Sequence, residues 1–328
     1  MTIAIVGATG AVGHEIMRVL ERRSFPLKKL RCFASERSIG KNLIFRGEEV
    51  QITPISFEGV DLAFFCAGKK ISEKYVPLAL DHGCFVVDSS SAFRMDPKIP
   101  LVIPEINGSS IGNHRLVASP NCTATMMLMT LAPLHREVPI KRIVMSTYQA
   151  ASGAGQLAMQ ELKEETRAHL DERPFKTTIM PHPYAFNLFS HNAPMTDSNY
   201  NEEELKVIEE SRKILDDADL KIAVTCVRVP VLRAHSEMLN VEFSAPLSPE
   251  RARSILENSP GVQVLEDWTQ NRFPMPLDST GQDNVFVGRI RRDLSQSNTL
   301  DFWVVGDQLL KGAALNAVQI AERQLILS

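Results

Sequence analysis

The stretch TIAIVGATGAVGHEIMRVLERR, residues 2–23, carries the information that decides the fold class. Its opening TIAIVGA is an uninterrupted apolar run of strand length. From Ala11 the period changes, and Val12, Ile16, Val19 and Leu20 recur along one face of a helix. Between the two stand Gly7, Gly10 and Gly13. A strand that passes through a glycine turn into a helix is the setting of a dinucleotide-binding turn. Small residues let the backbone approach a pyrophosphate, and the helix start supplies free amides and a positive dipole end. The spacing G-x-x-G-x-x-G departs from the commonest form, and a purely structural tight turn also uses glycine.

Outward from that stretch, short apolar runs alternate with amphipathic ones. KLRCFAS (29–35), DLAFFCAG (61–68) and CFVVDSS (84–90) read as strands, and YVPLALDHG (75–83) as a helix. Such alternation implies a parallel sheet with helices on its faces. The first part of the chain is therefore expected to be an α/β, Rossmann-type, dinucleotide-binding domain. From about residue 140 the strands lengthen, in RIVMSTYQ (142–149), KIAVTCVRVPV (221–231) and HSEMLNVEFSA (235–245). They are punctuated by two charged helices, LAMQELKEETRAHL (157–170) and EEELKVIEESRKIL (202–215). This is α+β texture, expected of a catalytic and dimerisation domain. DQLLKGAALNAVQIAERQLIL (307–327) reads as one long amphipathic helix. The expected division is 1–121 with 307–328 for the first domain and 122–306 for the second.

The length of 328 residues suits two domains. With 36 Lys and Arg against 39 Asp and Glu, the net charge is −3, and no basic run suggests nucleic acid or an anionic membrane. No apolar stretch reaches the 18 or so residues of a membrane span, and the start shows no secretory leader pattern. The expected compartment is the cytosol.

Cofactor choice belongs at the end of the second strand, where NAD-binding folds place an acid for the ribose 2′-hydroxyl. Here the strand ends ASERSIGK. Ser35, Arg37 and Ser38 suit a 2′-phosphate, whereas Glu36 suits the ribose, and these residues alone leave both open.

Five cysteines, at 32, 66, 84, 122 and 226, show neither disulfide-type nor metal-type spacing. Four lie in apolar strand-like runs and read as buried packing residues. Cys122 follows a Pro-Asn turn in SPNCTATMM (119–127), close to an expected helix start, where amides and dipole favour a thiolate. His235, placed in a turn after the strand carrying Arg228, is the candidate base. Gln149 is a polar residue between an apolar strand and a glycine turn. Each of the three also has an ordinary reading: a surface histidine, a solvated arginine, a strand-end hydrogen bond.

In order along the chain, GATGAVG, SSSAFRMD, PNCT, STYQAASGAG, PYAFN, EEELK, CVRVPVLRAHSE and VGRIRRD resemble the aspartate-semialdehyde dehydrogenases, in the bacterial form whose cofactor loop reads like ASERSIGK. The resemblance runs nearly end to end. It implies NADPH-dependent conversion of an aspartyl phosphate to the semialdehyde and inorganic phosphate, feeding lysine, methionine and threonine synthesis. It implies Cys122 as the thioester-forming nucleophile, His235 as the acid/base and Gln149 as the residue orienting the substrate. Arg228 becomes the clamp on the substrate carboxylate, Arg94, Asn121 and Lys206 the phosphate contacts, and Glu203 a neighbour that places the substrate. For NADP(H) it implies the turn of Gly7, Thr9, Gly10, Ala11, Val12 and Gly13, the 2′-phosphate pocket of Ser35, Arg37 and Ser38, the turn of Ser152 and Gly153, and Asn316. It implies no metal, and a homo-oligomer of at least two chains.

Two positions depart from the family's usual pattern. Ser89 follows Asp88 where an Asn is common, and Ala124 stands where a hydroxyl is common. The rival readings are a reductase of another acyl phosphate, such as N-acetylglutamyl phosphate, and a catalytically dead relative. The first usually shows Gly-Cys-Tyr at the nucleophile, and the second typically loses the cysteine or histidine.

Overall fold

The computed structural model describes residues 1–325, which form two compact units. One comprises Met1–Asn121 and the segment from Ala313 onward, the other Cys122–Gly312.

The first unit holds β1 (Thr2–Val6), α1 (Ala11–Arg22), β2 (Lys29–Phe33), β3 (Asn42–Phe45), β4 (Glu48–Thr53), β5 (Leu62–Phe65), α2 (Lys69–Asp81), β6 (Phe85–Asp88), α3 (Pro104–Asn107) and β7 (Leu116–Ala118). Its sheet runs β3-β4-β2-β1-β5-β6-β7. All neighbours are parallel except β3 and β4. Ile3 to Val6 and Leu62 to Phe65 are buried along their whole length, which is why these strands read as continuous apolar runs rather than alternating ones. Strand order reverses at β1, so the carboxyl end of β1, where the glycine turn sits, is the switch point at which open α/β sheets take ligands.

The β3–β4 hairpin is an addition to the expected strands. Its turn residues Arg46 and Gly47 both have positive φ, 51° and 80°, as a type I′ turn requires. Helix α2 starts at Lys69 rather than near Tyr75, after Gly68 redirects the chain at φ 89°.

The second unit holds α4 (Cys122–Glu137), β8 (Ile140–Gln149), α5 (Gln156–Leu170), β9 (Phe189–Ser190), α6 (Glu202–Leu215), β10 (Lys221–Arg228), β11 (His235–Phe243), α7 (Pro249–Glu257), β12 (Val262–Val264), α8 (Pro276–Ser279), β13 (Val285–Arg292) and β14 (Thr299–Gly306). The sheet order is β12-β13-β14-β11-β8-β10-β9, with β8 parallel to β10 and antiparallel to β11. Helix α4 is buried on nearly all sides, as expected of a helix apolar all round, and packs on α6, α7 and strands β8, β11, β13 and β14. An Asn201 capping box starts α6: the Asn201 side chain accepts from the Glu204 N–H at 3.0 Å, and the Glu204 carboxylate accepts from the Asn201 N–H at 2.9 Å. Glu204 also accepts from the Cys226 N–H at 2.9 Å, which ties the start of α6 to β10.

The C-terminal segment differs from the single helix expected over 307–327. A π-type turn, Leu310–Ala314, precedes α9 (Leu315–Leu325), which belongs to the first unit, and Ile326 and Leu327 lie outside the described residues. Residues 307–312 belong to the second unit. Asp307 accepts from Arg233 and from the Gly281 N–H, both at 2.7 Å, and the Gln308 side chain accepts from the Ala234 N–H at 3.1 Å. The chain therefore re-enters the first unit at 313, not 307. Among the described residues no helix is long and apolar enough to cross a membrane.

Candidate active site

In the second unit, Cys122 is the first residue of α4 and half-buried. A Cβ on Gly312 would lie 2.7 Å from the Cys122 Cβ, so that backbone runs directly against the cysteine and no other residue fits there. Cys32, Cys84 and Cys226 are buried, as their apolar runs imply, while Cys66 is half-buried.

Gln149 ends β8 and is almost fully buried. Its amide nitrogen donates to the Thr123 hydroxyl and to Glu203 Oε1, each at 3.2 Å, and its oxygen accepts from the Thr147 hydroxyl at 3.1 Å. The strand period of two puts Thr147 and Gln149 on one face, and the parallel register sets Cys226 beside Thr147 and Arg228 beside Gln149. On the other side β11 sets Glu237 opposite Thr147, so His235, two residues earlier, rises on the same face.

Arg228 is buried. Its Nη1 donates to the Ala150 carbonyl at 3.3 Å and its Nε to Asn192 Oδ1 at 3.2 Å. Burial lowers its pKa, while Tyr184, Glu203 and Cys122 act in the opposite sense.

His235 is not in a turn, as expected, but is the fully buried first residue of β11. The cause is the preceding Ala234, whose φ of 74° redirects the chain into the strand. His235 Nδ1 accepts from the Ala150 N–H at 2.9 Å, so in the neutral ring the hydrogen sits on Nε2. That Nε2 is buried and has no hydrogen-bond partner. Burial, then the charges of Arg228 and His191, hold the imidazole well below the usual histidine range. The Ala150 backbone thus holds both groups, its N–H donating to His235 and its carbonyl accepting from Arg228.

The turn Ala151–Ala154 packs on the same pair. A Cβ on Gly153 would stand 2.9 Å from Arg228 Nη1 and from two atoms of the His235 ring. The Ser152 hydroxyl accepts from the amide of Gln308. On α6, Lys206 Nζ lies 3.8 Å from Glu203 Oε2, and Glu203 in turn reaches Gln149. Thr123, Thr147, Tyr184, His191 and Asn192 join this group without having been singled out from the sequence. Thr147 was accessible to the period-two argument, whereas nothing in the loop SHNAP marks His191 or Asn192.

The first unit holds the remaining candidates. Gly7 has φ 101°, and a Cβ there would strike the backbone of Cys66 and Ala67 at 2.9–3.0 Å. A Cβ on Gly13 would lie 2.4 Å from the Gly7 carbonyl, so both positions require glycine for close backbone approach. Helix α1 has Gly10 at its N-cap, no side-chain cap and no acid in its first turn, which leaves its amides open to an anion. Thr9, Ala11 and Val12 line that turn. Ser35, Glu36 and Arg37 are exposed and Ser38 half-buried in a 3-10 turn just after β2. Arg94 is buried, donating to the Ser119 carbonyl at 2.9 Å and the Ser89 carbonyl at 2.8 Å, and Asn121 is buried at the end of the unit. Asn316 is fully buried, and its amide donates to the Val102 carbonyl and the Ser119 hydroxyl, both at 3.0 Å. It ties α9 to two loops of its own unit. At the departure from the family pattern, the buried Ser89 Oγ has no partner. Among the described residues no group of three or more His, Cys, Asp or Glu is arranged to hold a metal.

A thiol at a helix start, an imidazole donor, a guanidinium and a fixed carboxamide together suit acyl transfer through a thioester. Residues 2–114 match the model of the semialdehyde dehydrogenase NAD binding domain, and residues 131–311 that of the semialdehyde dehydrogenase dimerisation domain. The chain is 52% identical to the aspartate-semialdehyde dehydrogenase of Prochlorococcus marinus, over 98% of this chain and 95% of that one. It is also 52% identical to that of Synechocystis, over 98% and 96%. A crystal structure of aspartate semialdehyde dehydrogenase II from Vibrio cholerae, complexed with ASA, superposes with a TM-score of 0.94 at 39% identity, covering 98% of this chain and 97% of that one.

Proposed function

Because the chain belongs to the aspartate-semialdehyde dehydrogenase family, we propose that it reduces L-aspartyl 4-phosphate to L-aspartate 4-semialdehyde with NADPH, releasing inorganic phosphate. The observation that carries this reading is the grouping of Gln149, Arg228 and His235 on one sheet face, with Gln149 bonded to the residue that follows Cys122.

Cys122 attacks the acyl carbon, its S–C bond forms as the C–O bond to phosphate breaks, and a thioester results. Arg228 holds the substrate carboxylate, a bidentate task that suits a planar guanidinium. Gln149 and Glu203 orient the substrate, Lys206 and Arg94 balance the charge of the departing phosphate, and Asn121 contacts it through its neutral carboxamide. When bound, the nicotinamide supplies the hydride that reduces the thioester carbonyl. His235 donates its Nε2–H to the oxyanion that develops there, and collapse of that oxyanion expels the Cys122 thiolate and frees the aldehyde. The open amide cradle at α1 fits a pyrophosphate, and Ser35, Arg37 and Ser38 fit a 2′-phosphate, which favours NADP over NAD. The match to a dimerisation domain favours a homo-oligomer built through the second unit.

The test is the reverse reaction. Aspartate semialdehyde with NADP should form NADPH only when phosphate is present, and NAD should serve poorly beside it. NADPH formation that ignores phosphate would overturn the phosphorylating reading.

A further inference from the structure

His191 stands in the second unit, and neither the motifs nor the mechanism above use it. Strand β9 pairs antiparallel with β10, with Ser190 opposite Val227 and Phe189 opposite Arg228. The ladder continues one step further, since the His191 N–H donates to the Cys226 carbonyl at 2.8 Å. His191 therefore lies opposite Cys226, and its side chain rises on the same sheet face as Arg228 and Gln149. Its neighbour Asn192 accepts from Arg228 Nε at 3.2 Å, which fastens the 191–192 segment to that guanidinium. The charges that act on the ring are those of Arg228, Glu203 and Lys206, and His191 in turn acts on His235.

His191 Nδ1 accepts from the Ala193 N–H at 3.1 Å, so the neutral ring carries its hydrogen on Nε2. Burial, with Arg228 beside it, brings its pKa down to about 4, so the ring is neutral at pH 7. A ring in this state can donate through Nε2 and cannot accept there. It suits an oxyanion and not the ammonium of an amino acid. A neutral donor also adds to the grip of Arg228 and Lys206 without a third positive charge to repel them.

We propose that His191 is a further substrate contact, whose Nε2–H donates to the substrate carboxylate that Arg228 holds. The inference rests on the reaction proposed above. The carboxylate is favoured over the phosphate because the 191–192 segment is fastened to Arg228 rather than to Lys206.

The test compares His191→Ala with His191→Gln, whose amide keeps a donor near the Nε2 position. Loss of a hydrogen bond to a charged group should raise the KM for aspartate semialdehyde roughly tenfold or more in His191→Ala. Its kcat and its KM for phosphate should stay within about twofold, and His191→Gln should recover most of the loss. Calorimetric binding of aspartate semialdehyde to Cys122→Ala, with and without His191→Ala, should show the same factor. Because that titration needs no turnover, a chain inactive in the assay would count against the reaction while the binding still decides His191. An unchanged aldehyde KM and affinity would overturn the proposal. A rise in the phosphate KM alone, or no recovery in His191→Gln, would overturn it too.

Discussion

Cys226 and Cys122 carry the same thiol in the same unit, but burial pushes Cys226 far above the usual cysteine range while Cys122 stands half-exposed at the start of α4. Cys122→Ala should lower turnover to less than about a hundredth while NADP affinity stays near that of the unaltered chain. Turnover above that level would remove Cys122 as the nucleophile. Cys226→Ala, by contrast, should cost about 1 kcal/mol of stability and little activity. On the cofactor side Arg37→Ala should weaken NADP far more than NAD, and equal weakening of the two in binding titrations would return the role to Glu36. Glu237 supplies a pH dependence. It is fully buried, neither carboxyl oxygen has a hydrogen-bond partner, and burial holds its pKa well above the usual range. In the unfolded chain the group ionises near pH 4.5, whereas in the folded chain it stays protonated to higher pH, so the unfolded state binds fewer protons. Its favourable contribution is thus present below pH 4.5 and lost as pH rises towards the folded value. Glu237→Met, which fills similar space without a polar group, should raise Tm by ~2 °C or more at pH 7.5. The gain should shrink towards pH 4.5, and a gain constant over that range would refute the ionisation argument.

At the scale of elements, α5 holds a long loop with two carboxylates. Glu161 accepts from the N–H groups of Thr178, Ile179 and Met180 and from the Thr178 hydroxyl, and Glu165 accepts from the N–H groups of Tyr184 and Ala185. The loop so fixed delivers the Tyr184 hydroxyl to the Gln149 carbonyl at 3.3 Å. Burial opposes the Glu161 charge, yet the four hydrogen bonds together hold its pKa below the usual value. The clamp is therefore present above about pH 4.5 and lost as pH falls through the lower, folded value. Glu161→Gln replaces one accepting oxygen with a donor that faces other donors. Hydrogen exchange at Ile179 and Met180 should quicken roughly tenfold or more, with α6 unchanged. Equal exchange in both proteins would show that the loop is held by other contacts. Nothing in LAMQELKEETRAHL distinguishes Glu161 and Glu165 from solvated acids, because their partners are amides 17 to 20 residues away. The alternation of buried strands and helices in the first unit was legible, since burial on both faces leaves continuous apolar runs. The β3–β4 hairpin was not, because Arg46-Gly47 takes a type I′ turn without the usual Asn or Asp signal. Cys122 at a helix start was legible from Pro-Asn and the run after it. The burial of His235 was not, because it depends on a positive φ at Ala234 that alanine does not announce.

At the scale of the molecule, the question is what covers the second face of the β8–β14 sheet. Period two sets Tyr148 and Met238 on the face opposite Gln149 and Glu237, and Met238 pairs with Trp303. The Tyr148 and Trp303 rings lie 5.4 Å apart, and Tyr148 remains 39% exposed. Aromatic side chains left open on a sheet face favour association, since buried apolar area contributes about 25 cal/mol per Å². A second copy related by a two-fold axis would cover this face with the same patch, and the match of residues 131–311 to a dimerisation domain agrees with that. A stable interface of this kind needs about 800 Å² from each partner. In a two-fold interface every substitution acts twice, so one well-chosen charge should be enough to separate the subunits. Met238→Lys should therefore sediment as a 36.5 kDa monomer at micromolar concentration, where the unaltered chain sediments as a dimer or larger. A monomeric unaltered chain would refute the assembly, and a Met238→Lys variant that stays dimeric would move the interface off this face.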